Sequence, residues 1–245
     1  MAGAHGDLFA GSYYSCLALS SSPSHAIGYL NTVLTLNNLH IEQNLKPLFP
    51  PVTLTVQARE VVTLMGPSGC GKSTLLAAVV GDLAPAFRYT GQIELNGQQL
   101  DGLPMEQRHV GLLYQDDLLF PHMSVAENLL FALPAGLSRL EQQARIATAL
   151  NEAGLDDYGS RDVASLSGGQ RARISLLRTL LAEPHAVLLD EPFSKLDLQL
   201  RAQFRTWVFA ELAQREVPVI LVTHDPADCP GGRVYDLPSG VMTPC

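Results

Sequence analysis

Apolar and polar positions alternate over Val33–Ile41 (VLTLNNLHI) and Val52–Val56, the period of two that predicts half-buried strands. Glu60–Met65 (EVVTLM) is instead a short unbroken apolar run that stops at Gly66. With glycines after it and then Ser73–Val80, this run predicts a strand, a loop and a helix. Gly91–Asn96 (GQIELN) and Val110–Tyr114 predict two further strands. From Ser124 to about Leu155 the spacing turns helical, with Leu140, Ala144, Ala147 and Leu150 on one predicted face. Helices are also predicted over Gly168–Leu181 and Leu198–Arg215, and buried strands over Ala186–Leu189 and Val217–Val222. Strands separated by helical stretches predict an α/β core with a largely parallel sheet, interrupted by a mostly helical insertion over residues 116–162.

The 245 residues suffice for one large domain with a sizeable core. The apolar runs fall far short of the ~18 residues that span a bilayer. Sixteen basic against 24 acidic residues leave a net charge of −8, which speaks against a broad basic surface for nucleic acid. Cys16, Cys70, Cys229 and Cys245 are scattered without a C-x-x-C pair, so neither zinc nor a disulfide framework is expected. Residues 1–32 are rich in Ser, Gly, Ala and His, and no Lys or Arg precedes Lys46. This segment reads as a loosely ordered extension without the basic start of a secretory signal.

The chemistry is concentrated in three places. Gly66–Thr74 (GPSGCGKST: Gly66, Pro67, Ser68, Gly69, Cys70, Gly71, Lys72, Ser73, Thr74) matches the G-x-x-x-x-G-K-[ST] phosphate loop, between a predicted strand and a predicted helix. Its backbone N–H groups would cradle phosphate oxygens, Lys72 would reach the β- and γ-phosphates, and Ser73 would ligate Mg²⁺. Ala186–Glu191 (AVLLDE) is a buried strand ending in two carboxylates. Asp190 is suited to Mg²⁺, and Glu191 to orienting or activating an attacking water. Ser167, Gly168, Gly169 and Gln170 open a helix as LSGGQ, which reads either as a plain helix cap or as a second anion site.

In this order and spacing, the phosphate loop, LSGGQ and AVLLDE resemble the nucleotide-binding subunit of ABC (ATP-binding cassette) ATPases, from about Val33 onward. The resemblance implies a P-loop NTPase (RecA-like) core with a largely parallel sheet. It also implies an antiparallel β part near the N-terminus and a helical subdomain inserted after Gln115. Gln115 matches the glutamine that contacts Mg²⁺ and the attacking water, and His224 the histidine that contacts the γ-phosphate. Ser194–Asp197 (SKLD) resembles the D-loop, with Lys195 where a small residue is commoner. The family stacks adenine on an aromatic upstream of the phosphate loop; Glu42–Lys46 carries none, and Phe49 is the nearest.

Further expectations follow from the same resemblance. Two copies, or one copy and a related ATPase subunit, would pair head to tail with ATP and Mg²⁺ between them. LSGGQ of one chain would close over the γ-phosphate held by the other. Integral membrane permease subunits at the cytoplasmic face of the cell membrane, and a solute-binding protein, would be the further partners, with no nucleic acid. Leu118–Leu130 clusters Phe120, Pro121, Met123 and Val125, either as a groove for a permease helix or as packing of the insertion onto the core. Asp190–Arg201 (DEPFSKLDLQLR) resembles bacterial small-solute importers, whereas many exporter subunits carry EPT. With the chain closing soon after His224, the regulatory domain of longer sugar-importer subunits is not expected. The alternatives are an exporter ATPase, a non-transport cassette ATPase acting on nucleic acid or ribosomes, and a P-loop small-molecule kinase, which leaves LSGGQ unaccounted for.

Overall fold

The computed structural model describes residues 32–245; the predicted extension before Thr32 lies outside the described residues. The first half runs β1 (Val33–Gln43), β2 (Lys46–Pro47), β3 (Val52–Gln57), β4 (Val61–Met65), α1 (Lys72–Val80), β5 (Phe87–Leu95), β6 (Gln98–Gln99) and β7 (Val110–Leu113). The second runs α2 (Val125–Leu130), α3 (Arg139–Glu152), α4 (Gly168–Leu181), β8 (Ala186–Asp190), α5 (Leu198–Gln214), β9 (Val219–Val222), β10 (Arg233–Asp236) and β11 (Val241–Pro244).

The alternating strands form an antiparallel sheet in which β1 pairs with β2, β3 and β5, and β5 with β6. Strand β5 starts before Gly91, where the sequence pattern placed its beginning. Gly91 is not a breaker but the position opposite a bulge in β1. A Cβ there would meet the Asn38 carbonyl oxygen at 2.4 Å, and Asn38 itself has φ +49°.

The unbroken apolar runs form a second, six-stranded sheet in the order β11-β10-β4-β9-β8-β7. From β10 to β7 all pairings are parallel, and the antiparallel β11 closes one edge. Val62, Leu64, Val187, Leu188, Ile220 and Leu221 are fully buried because helices or the first sheet cover both faces. Parallel pairing brings the C-terminal ends of β4, β9, β8 and β7 to one edge. That edge is where open α/β sheets bind ligands.

The helical part departs from the predicted pattern. It breaks at Ala132–Leu137 into α2 and α3, each opened by a Ser capping box, Ser124 with Glu127 and Ser138 with Glu141. The buried face of α3 is Ile146, Ala149 and Leu150, whereas Leu140, Ala144 and Ala147 are exposed. Leu150 is buried as predicted, but Ala144 and Ala147 were drawn on the wrong side because alanines fit either face; the choice belongs to Val125, Leu129, Ile174 and Leu177 of the helices packed against α3.

The cysteine expectation is also corrected. Cys229 and Cys245 form a disulfide across a Cα–Cα distance of 6.7 Å, and Cys70 is the free cysteine among the described residues. The β10–β11 hairpin returns the chain, and Cys245 donates its N–H to the Gly232 carbonyl at 2.8 Å. Short β10 carried no sequence signal that would have foretold this return.

Candidate functional site

The loop Gly66–Gly71 leaves β4 and enters α1. Gly71 is the N-cap of α1 in the left-handed region (φ +101°), and no side chain caps this helix. The first N–H groups of α1 therefore face outward at the positive end of the helix dipole. Gly71 has a second reason to be glycine, since a Cβ would meet Phe49 Cε1 at 2.8 Å. Phe49 is 5% exposed, so it floors the loop as core and offers no face to a base. At Gly66 a Cβ would meet Cys70 Sγ at 2.8 Å and Pro238 Cδ at 3.0 Å. Cys70 is thus tucked against the loop entrance, whereas Pro67, Ser68 and Gly69 are exposed at the rim and Thr74 is half-buried.

The side chains converge along the sheet edge. Lys72 is buried, and its Nζ donates to the carbonyls of Gly66 (2.8 Å) and Pro67 (3.0 Å). The same Nζ lies 3.9 Å from Glu191 Oε1. Ser73 donates its hydroxyl to Asp190 Oδ1 at 3.0 Å. Burial holds the Asp190 carboxyl above its ordinary pKa, with the Ser73 hydrogen bond opposing and the Glu191 charge adding to the rise.

Glu191 follows the last residue of β8 with φ +45°, an uncommon conformation for a residue with a side chain. It is held there by its own N–H, which donates to the Val222 carbonyl at 3.0 Å. The turn aims the carboxylate sideways, so that Glu191 Oε2 lies 3.1 Å from His224 Nδ1. Gln115, just beyond β7, donates to Ser194 Oγ at 3.3 Å, and Ser194 donates to the Glu191 carbonyl at 2.9 Å. Lys195 forms an ion pair with Asp116 beside Gln115. Among the described residues no cluster of three or more His, Cys, Asp and Glu could hold a metal. A hydroxyl beside one carboxylate is nevertheless a fitting donor pair for Mg²⁺, which keeps waters and phosphate oxygens as its remaining ligands.

Ser167, Gly168, Gly169 and Gln170 stand apart from this convergence. Ser167 Oγ accepts the Gln170 N–H (3.3 Å), Gln170 Oε1 accepts the Ser167 N–H (2.9 Å), and Gln170 Nε2 donates to Tyr158 Oη (2.8 Å). Ser167 and Gly168 are exposed at the start of α4, and none of these hydrogen bonds reaches the Gly66–Thr74 loop.

The predicted apolar patch is only partly a surface. Val125 is fully buried against α3 and α4, so it packs the helices onto the core. Leu118 and Phe120 line a groove of about 550 Å³ together with Met105, Phe131, Ala182 and Pro184. Pro121 and Met123 are not among its lining residues. The sequence reading missed Met105, Phe131 and Pro184, which are distant along the chain or lie just past the patch.

The comparison with known proteins bears on this geometry directly. Residues 49–194 match the family model described as ABC transporter. The chain belongs to the ABC transporter family. The ABC transporter ATP-binding protein YnjD of Escherichia coli (strain K12) is 50% identical over 198 residues, covering 81% of this chain and 91% of that protein. The spermidine/putrescine import ATP-binding protein PotA of Pseudomonas aeruginosa (strain UCBPP-PA14) is 43% identical over 175 residues, 71% of this chain and 47% of PotA. The Fe(3+) ions import ATP-binding protein FbpC of Haemophilus influenzae (strain 86-028NP) is 38% identical over 200 residues, 80% of this chain and 56% of FbpC. The chain thus matches nearly all of the first relative and about half the length of the other two. As a member of this family it binds ATP and is an ATPase. No described helix is long and apolar enough to cross a membrane.

Proposed function

We propose that this chain is the ATP-hydrolysing subunit of a solute importer, acting as one half of a head-to-tail pair of cassettes beneath permease subunits at the cytoplasmic face of the membrane. The observation that carries the reading is the convergence of Lys72, Ser73, Asp190, Glu191 and His224 at one sheet edge. The import roles in the names of PotA and FbpC support the direction of transport. These relatives are named for different solutes, so the solute is selected by the other subunits, a solute-binding protein among them.

Lys72 is satisfied by two loop carbonyls, which phosphate oxygens would replace. Ser73 and Asp190 would hold Mg²⁺, which supplies charge neutralisation on the phosphates. Glu191 orients the attacking water, and His224, on the far side of that carboxylate, contacts the γ-phosphate. Gln115 reports on the same region through Ser194. The exposed N-terminus of α4 at Ser167–Gln170 closes over the γ-phosphate of the partner copy, supplying donors available only in the paired state.

Two variants test this. Lys72→Ala should lose Mg²⁺-dependent ATP hydrolysis through loss of nucleotide binding. Glu191→Gln should still bind ATP, turn over about 100-fold or more slowly and accumulate as a dimer in size-exclusion chromatography. Near-normal turnover by Glu191→Gln would remove its water-orienting role.

A further inference from the structure

His224 is exposed in a short segment between β9 and a single 3-10 turn, Pro226–Asp228. Its neighbours in the chain are nevertheless pinned. Thr223 is buried and donates its hydroxyl to Asp228 Oδ2 at 2.8 Å. The same hydroxyl oxygen accepts the Asp225 N–H at 3.1 Å. Asp225 caps the turn by accepting from the Ala227 N–H at 2.9 Å.

Thr223 and Asp225 are both bonded to Asp228, whose own N–H donates to the Asp225 carbonyl at 3.1 Å; it is only 2% exposed and would be costly to bury unpaired. Its close partner is Arg201, while Arg205 Nη1 stands farther off at 3.8 Å from Oδ1. Arg201 Nε donates to Oδ1 at 2.9 Å and Nη2 to Oδ2 at 2.5 Å, a two-pronged grip that sets orientation as well as charge. Nη2 also lies 2.9 Å from Asp225 Oδ2, so one guanidinium holds carboxylates on both sides of the turn.

Arg201 in turn is fixed to the other loop of the site. It lies in the first turn of α5, where its N–H donates to the carbonyl of the N-cap residue Asp197 at 2.8 Å. Asp197 closes the segment that begins at Ser194, the residue bonded to both Gln115 and the Glu191 carbonyl. The path from Glu191 through Ser194, Asp197, Arg201, Asp228 and Thr223 ends at His224. There it closes on itself, because His224 Nδ1 lies 3.1 Å from Glu191 Oε2. No hydrogen bond or ion pair of Arg201 or Asp228 reaches Gly66–Thr74 among the described residues.

We infer that Arg201 and Asp228 are positioning residues for His224, transmitting the placement of the Ser194–Asp197 segment to the histidine. This rests on the assignment of His224 to the γ-phosphate made above. Because the pair acts on the histidine and not on the phosphate loop, its loss should appear in turnover and leave ATP affinity alone.

The test uses the full chain with Arg201→Ala, Arg201→Lys and Asp228→Asn, each alone and combined with His224→Ala. ATP binding and thermal melting are measured beside hydrolysis. Each single variant should lower kcat about 10-fold or more with KM for ATP nearly unchanged. Arg201→Lys restores charge without the two-pronged geometry, so it should regain melting temperature more than turnover. On a His224→Ala background the same changes should cost nothing further, as expected of residues that act as one unit. An equal fold-loss with and without His224, or full kcat in the folded Arg201→Ala chain, would overturn the inference. Should Arg201→Ala fail to fold, Asp228→Asn and Arg201→Lys carry the same comparison. Full turnover by His224→Ala alone would overturn both this inference and the assignment it rests on. Loss in His224→Ala with none in the Arg201 and Asp228 variants would overturn this inference only.

Discussion

Asp190 shows how a single residue in this site sets stability against function. Burial raises its pKa in the folded chain above the ordinary 3.8, so the folded state favours the protonated form. A group with a raised folded pKa contributes its stability fully below the unfolded value, and loses it as pH rises through the folded one. At neutral pH the ionised carboxylate therefore weakens the nucleotide-free chain. Asp190→Asn keeps an oxygen for the Ser73 hydroxyl and removes the charge. Its nucleotide-free form should melt higher than wild type at pH 7, with the difference closing toward pH 3.8, while Mg²⁺-dependent hydrolysis is lost. Melting curves across this range decide the point, and a lower melting temperature at pH 7 would contradict the burial argument. Glu191 carries a comparable burden in its backbone, where φ +45° is maintained by the Val222 carbonyl.

Helices α3 and α4 offer a controlled comparison between a cap that only caps and one with a second task. Both begin with a Ser capping box, Ser138 with Glu141 and Ser167 with Gln170. Replacing a capping Ser by Ala costs about 1 kcal/mol. Ser138→Ala and Ser167→Ala should therefore lose similar stability in urea melts. Only Ser167→Ala should also lose turnover, because its helix start is the one proposed to meet the partner's γ-phosphate. Matching ATPase rates in the two variants would reduce Ser167 to a cap. The capping partner Gln170 is bonded on its other side to Tyr158 Oη, so the α4 start is also tied to the residues that follow α3.

At the scale of the whole molecule, the apolar groove around Phe131 is the surface that fits the proposed membrane partner. Phe131 is 69% exposed and Leu118 54% exposed, while Phe120 sits below with the Arg178 guanidinium 5.5 Å from its ring. Arg178 also donates to the Leu118 carbonyl at 2.8 Å, which holds the groove wall in place. An exposed apolar groove with charged edges fits an amphipathic helix. Phe131→Asp should leave basal ATPase activity of the isolated chain intact and abolish co-purification with the proposed permease subunits. Undiminished co-purification would take Phe131 out of the contact.

What the sequence determined by itself is local in the chain. GPSGCGKST and AVLLDE stood out as candidate segments because phosphate cradling and metal binding would need fixed residue types at fixed short spacings next to a strand. Parallel β4, β8 and β9 were legible for a similar reason, since strands covered on both faces read as unbroken apolar runs. The tertiary structure decided whatever depends on two distant segments meeting. Arg201 and Asp228 are 27 residues apart, and neither lies in a motif that foretells a buried two-pronged pair. The same holds for Cys229 with Cys245, for Phe49 beneath Gly71, and for the face that α3 buries. Charge, size and apolarity make a residue able to pair or to be buried; the partner is chosen by which surfaces the closed sheet and its helices bring within contact.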